Sequence, residues 1–129
     1  MKRAYAKTPN VVDSSAWLEY FADTRAAEIF ADPIEDVGRL IMPVICIYEV
    51  FKKFLRERGA SAALRAAAQM QSGRVADLDV ALVMAGARFK LPLADSLIYA
   101  TAQKYGAILW TQDEHLKDLP GVRFFPKRN

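Results

Sequence analysis

Short apolar runs recur along the chain, each too brief for a helix and each followed by a stretch of helical composition, and this alternation restricts the fold more than any other feature. Asn10-Val11-Val12-Asp13, Leu40-Ile41-Met42, Ala107-Ile108-Leu109-Trp110 and Val122-Arg123-Phe124-Phe125 read as strands. Between them the sequence predicts helices over Ser14–Ala22, over Thr24–Ala31 with Thr24 as N-cap, and from Pro43 to Arg58, closed by Gly59. Ala60–Gln71, Asp79–Lys90 and Ala94–Tyr105 are the remaining helical stretches, the last two separated by Leu91-Pro92-Leu93. Strands alternating with helices imply an α/β fold, a parallel sheet covered on both faces.

At 129 residues the chain suits one domain, read as residues 1–129 with an N-terminal arm over 1–9 and a core over 10–126. A hydrophobic content of 53% against 26% charged residues is that of a globular protein. The single cysteine, Cys46, lies in the apolar run VICIYEVF and reads as a core residue, with no internal disulfide and a reducing compartment expected. No run has the length of a membrane span, and the basic start MKRAYAKTPN has no apolar region after it, so a cytoplasmic location is expected. The net charge of +3 favours a polyanionic ligand only slightly.

In open parallel sheets ligands bind at the carboxyl ends of the strands. Asp13 directly follows the first strand and Asp113 follows the strand ending at Trp110, which predicts two acids at one sheet edge. Each of four acids has an ordinary reading as well. Asp13 can cap the following helix, Asp95 can cap its own, Glu49 can pair with Lys53, and Asp113 can serve a turn with Thr111. Glu49 fits its ordinary role least, because Ile45, Cys46, Ile47, Tyr48, Val50 and Phe51 surround it. A carboxylate buried there needs a partner or a metal. Clustered carboxylates stay ionised only beside cations, and hard divalent ions with oxygen ligands suit them.

Together these segments resemble the PIN-domain family and, within it, the VapC toxins of bacterial toxin–antitoxin pairs. Val11-Val12-Asp13-Ser14-Ser15 is similar to the family's first strand and acid, and Tyr48-Glu49-Val50 to its helical glutamate. Leu93-Ala94-Asp95-Ser96-Leu97-Ile98-Tyr99-Ala100 is similar to the helix of the third acid, and Thr111-Gln112-Asp113-Glu114-His115-Leu116 to the turn of the fourth. The likeness runs from about Val11 to Phe125, while residues 24 to 42 carry no recognisable motif. It implies a Rossmann-like central parallel sheet of about five strands flanked by helices, a homodimer, RNA as substrate and a cognate VapB-like antitoxin as partner. It further implies metal-assisted phosphodiester hydrolysis, with Asp13, Glu49, Asp95 and Asp113 holding Mg²⁺ or Mn²⁺ and Ser14 and Thr111 orienting the carboxylates.

Lys52, Lys53 and Arg56 follow Glu49 on one helix and are candidates for tracking an RNA backbone, as are Arg58 and, at the chain's end, Lys127 and Arg128. The alternative is a solvated helix face. The single histidine, His115, reads as a surface or supporting residue, not a base. Two other functions fit the same motifs: a PIN nuclease of RNA processing or decay, and a PIN-like module that binds without cutting.

Asp95 separates the capping reading from the metal reading. Asn caps a helix about as well as Asp. If Asp95 is a metal ligand, Asp95→Asn is expected to abolish RNA cleavage at limiting Mg²⁺ while leaving the metal-free melting temperature unchanged or slightly raised. Wild-type cleavage by that variant would remove Asp95 from the site.

Overall fold

The computed structural model describes residues 7–127. Five parallel strands form one sheet: β1 (Asn10–Val12), β2 (Leu40–Pro43), β3 (Arg74–Ala76), β4 (Ile108–Thr111) and β5 (Val122–Phe124), in the order β3-β2-β1-β4-β5. Order reverses at β1, which lies between β2 and β4. Val11 pairs with Ile41 on one side and Leu109 on the other. This is the Rossmann-like sheet that the resemblance implied, and four of its strands coincide with the apolar runs.

Six helices cover the sheet: α1 (Ser14–Ala22), α2 (Ala27–Glu35), α3 (Val44–Arg58), α4 (Ala60–Met70), α5 (Val80–Gly86) and α6 (Leu93–Lys104). β1 and β2 are wholly buried and β4 alternates, Val11, Val12 and Leu109 showing no exposed surface, and Trp17, Phe30, Met42 and Met70 fill the space beneath the helices. Cys46 is a buried free thiol, as expected of a core residue. Among the described residues no helix is long and apolar enough to cross a membrane.

Several local expectations differ from the structure. β3 is a strand that the apolar pattern did not mark, because Arg74 is exposed and only Ala76 is buried. It pairs with β2 as an edge strand, and edge strands need no apolar run. Gly73 permits the approach, since a Cβ there would sit 2.5 Å from the Leu40 carbonyl oxygen. α2 runs to Glu35, past Ala31, and Thr24 does not cap it: the cap position is Ala26, and the Thr24 hydroxyl donates to Glu19 instead. α5 stops at Gly86 rather than Lys90. α3 is amphipathic, burying Cys46, Val50 and Phe54 at four-residue spacing while Tyr48 and Leu55 stand exposed. The arm expected over residues 1–9 is described only from Lys7, and Arg128 also lies outside the described residues.

Candidate active site

All four carboxylates face one cavity of about 290 Å³ at the carboxyl edge of the sheet, lined also by Ser14, Ser15, Leu18 and Ile98. β1 and β4 are adjacent and parallel, so the residues that follow them emerge side by side. Asp13 leaves β1, and its backbone N–H still donates to the Trp110 carbonyl at 3.1 Å. Asp113 leaves β4 two residues after Thr111.

Asp13 is only 2% exposed yet densely hydrogen-bonded. Its Oδ1 accepts the Ala16 N–H at 3.0 Å and the Ser15 hydroxyl at 2.9 Å, and its Oδ2 accepts the Thr111 hydroxyl. The capping reading of Asp13 is therefore correct, and capping occupies one oxygen of a carboxylate that also faces the cavity. Burial raises its pKa to about 6, against the opposing effect of those three donors, with the nearby Asp113 charge adding to the rise.

Thr111 ties the two strand ends together. Its buried hydroxyl donates to Asp13 and accepts the Asp113 N–H at 2.9 Å. Asp113 in turn accepts the His115 N–H at 2.8 Å and so starts the one-turn 3₁₀ helix Glu114–Leu116. Ser14 acts similarly on the other wall, donating its hydroxyl to Glu49 Oε1 at 2.5 Å. Glu49 is half-buried, not enclosed as its neighbours suggested. Its expected helix partner is engaged elsewhere, Lys53 lying 3.1 Å from Glu57.

Asp95 is not the cap of α6. Pro92 holds that position without a side-chain bond, and Asp95 sits in the first helical turn, turned toward the cavity. Desolvation raises its pKa to about 7, reinforced by the charge and hydrogen bonding of Asp113 and by the Asp13 charge, with His115 acting in the opposite sense. The His115 side chain is largely exposed, its Nδ1 lying 2.9 Å from Asp113 Oδ1 and 3.5 Å from Asp95 Oδ2. Asp95, Asp113 and His115 each offer a ligand atom, all within 4.8 Å of one another. His115, expected to be a surface or supporting residue, is both exposed and beside the acids, with its two-residue offset from Asp113 as the signal. Ser15 was missed, two residues beyond the acid it bonds.

The donor set is that of a hard divalent cation: four carboxylates at one cavity, most of the neighbouring donors neutral hydroxyls, and two acids whose ionisation the site itself opposes. Of the expected backbone-tracking cations, Lys53 lines a second groove beside this cavity. Lys52 lies over the Tyr48 ring, and Arg56 lies beside Glu57 on the exposed side of α3.

Similar folds occur in solved structures. A toxin–antitoxin complex from Klebsiella pneumoniae contains a chain superposing with a TM-score of 0.75 at 18% identity, over 92% of this chain and 99% of that one. A DNA-bound VapBC from Salmonella typhimurium gives 0.71 at 12% identity, covering 93% and 98%. Mycobacterium tuberculosis VapC20, described as a toxin cleaving the sarcin–ricin loop, gives 0.62 at 19% identity, covering 77% and 85%. No curated protein matches the chain by sequence. The family model of the PIN domain matches residues 11–122, a span that contains all four clustered acids and runs from within β1 to the start of β5, and the chain belongs to the PIN-domain family.

Proposed function

We propose that this protein is a Mg²⁺- or Mn²⁺-dependent endoribonuclease of the VapC toxin kind, neutralised by a cognate antitoxin. The observation that carries this reading is the convergence of Asp13, Glu49, Asp95 and Asp113 on one cavity at the sheet's carboxyl edge. These four carboxylates would hold the cation. When bound, such an ion lowers the pKa of a water and offsets charge on the phosphoryl oxygens. Thr111 and Ser14 hold Asp13 and Glu49 in place through their hydroxyls, so the carboxylates need little reorganisation to receive it. Ser15 adds a third hydroxyl at Asp13.

A toxin role is supported by the toxin–antitoxin complex and the named VapBC and VapC proteins among its structural neighbours. Those neighbours also support a small antitoxin as partner. A second copy of the chain is a further expected partner, and the exposed Val80, Val83 and Met84 on α5 offer it an apolar face. An RNA substrate sets the place of action in the cytoplasm.

Purified protein is expected to cut single-stranded RNA with Mg²⁺ or Mn²⁺ and to lose all cutting in EDTA. Undiminished cleavage in verified metal-free buffer would overturn the metal-dependent reading. Induced expression of the chain alone is expected to arrest growth, with relief by a small protein encoded beside it. Harmless accumulation of folded, nuclease-active protein would point instead to RNA processing or decay.

The raised carboxylate pKa values also carry a stability signature. Asp13 and Asp95 bind protons more tightly in the folded chain, near 6 and 7, than at their ordinary value of 3.8. The folded state is therefore favoured while they are protonated, and that advantage falls away as pH rises from about 4 through 7. Metal-free protein is expected to melt at a lower temperature at pH 8 than at pH 5, and added Mn²⁺ is expected to raise the melting temperature more at pH 8. A flat profile without metal, read by differential scanning fluorimetry, would contradict the burial of these charges.

A further inference from the structure

Ser15 and Leu18 on α1 line two cavities at once. One holds the four acids. The other, of about 280 Å³, lies between α1, the last turns of α3 and the turn after β4, and its wall carries Lys53, Arg58, Gln112 and Lys127. Glu19 and Glu57 also border it, so three cations face two carboxylates: Glu19 accepts the Thr24 hydroxyl, and Glu57 is shared between Lys53 and Arg56. Arg58 is held over the Phe54 ring at 4.7 Å, with its guanidinium edge free for further bonds.

Gln112 sets this groove apart from an ordinary charged surface. The residue is only 6% exposed, yet its side chain hydrogen-bonds to no other described residue. Its polar atoms are not sealed away, since Trp17 Nε1 is the one unpartnered side-chain atom closed to solvent among the described residues, so the amide keeps bonding capacity at the groove wall. The groove is what the amide opens onto. Gln112 also stands between Thr111, which bonds Asp13, and Asp113, so the turn that fixes the acids fixes this amide too.

We infer that this groove is a phosphate subsite for single-stranded RNA, seating a backbone phosphate that flanks the scissile one. The Gln112 amide N–H donates to it while Lys53, Arg58 and Lys127 balance its charge. The acids repel every phosphate except one bridged by a cation, so the neighbouring phosphate must leave toward positive charge, and the shared wall at Ser15 and Leu18 gives it the shortest path. The groove thereby sets the direction in which the strand runs from the cleavage site. This inference rests on the ribonuclease reading above.

The test is fluorescence anisotropy of a labelled single-stranded RNA decamer, with Ca²⁺ replacing Mg²⁺ so that binding is read apart from cutting. The double variant Lys53→Gln/Lys127→Gln is expected to weaken binding about tenfold and to flatten the log–log salt dependence by about 0.7, one lost phosphate contact on a single strand. Gln112→Glu, which keeps the side chain's size but places a carboxylate against the phosphate, is expected to weaken binding at least as much. Arg88→Gln removes one charge from the exposed turn after α5 and is expected to change affinity less than twofold. Folding of each variant is verified by its melting temperature, and if Gln112→Glu does not fold, the lysine pair decides the matter. Wild-type affinity and salt slope in the lysine pair, or an equal loss in Arg88→Gln, overturns the subsite. A wild-type protein that neither binds nor cuts RNA overturns the ribonuclease reading itself, a result distinct from either.

Discussion

The Thr111 hydroxyl is a single buried group on which the geometry of the acids depends. It donates to Asp13 and accepts from the Asp113 backbone, joining the ends of the two central strands. Residues 98 positions apart in sequence are thus locked into one arrangement. The parallel pairing of β1 with β4 brings the two ends together, and the hydroxyl then fixes side-chain direction. A hydrogen bond of this kind adds only about 1 kcal/mol to stability in general. Its larger consequence is orientation, since a carboxylate fully wrapped by donors does not rotate away from its ligand position.

Three donors would ordinarily hold a carboxyl ionised, yet burial outweighs them at Asp13, and at Asp95 the neighbouring acids add to the burial. The fold thus retains a local conflict at the sheet edge while the surrounding core is conventionally apolar. Conflicts of this sort are expected where function and stability compete for the same residues. Charge is also sorted in space. The cavity on one side of the α1 wall is lined by four acids and no Lys or Arg, and the adjoining groove by three cations and two acids, although the overall net charge of +3 suggests no such division.

Much of this arrangement was legible in the sequence for identifiable reasons. Inner strands of a covered parallel sheet are largely apolar, so β1, β2 and β4 announced themselves, β5 carries a similar apolar run at the sheet's edge, and an acid directly after a strand has little freedom about where it points. β3 gave no such signal, because its three residues, Arg74 to Ala76, begin with an exposed charge and include a single buried side chain. The end of α2 was obscured by Pro33, which reads as a stop but here lies within the helix, buried near its last turn. Asp95 looked like a cap by position, and only the path of the chain through Pro92 turned it into a cavity residue.

By itself, the sequence determined four of the five strands and the order of the helices between them, because periodicity is a local property of the chain, and the segments around the four acids carried the family resemblance. Tertiary structure alone decided which neighbours those acids have. Ser14 reaching Glu49 across 35 residues, His115 beside Asp95, and Lys53 turned toward a groove while Lys52 covers Tyr48 all follow from helix rotation and packing. A helix advances about 100° per residue, so adjacent lysines with equal local propensity face different surroundings, and only packing against the sheet selects which one meets the site. Gln112 is the clearest case: nothing in its sequence setting distinguishes it from a turn residue, and its place on the groove wall with little exposed surface exists only once α1 and the end of α3 lie beside it.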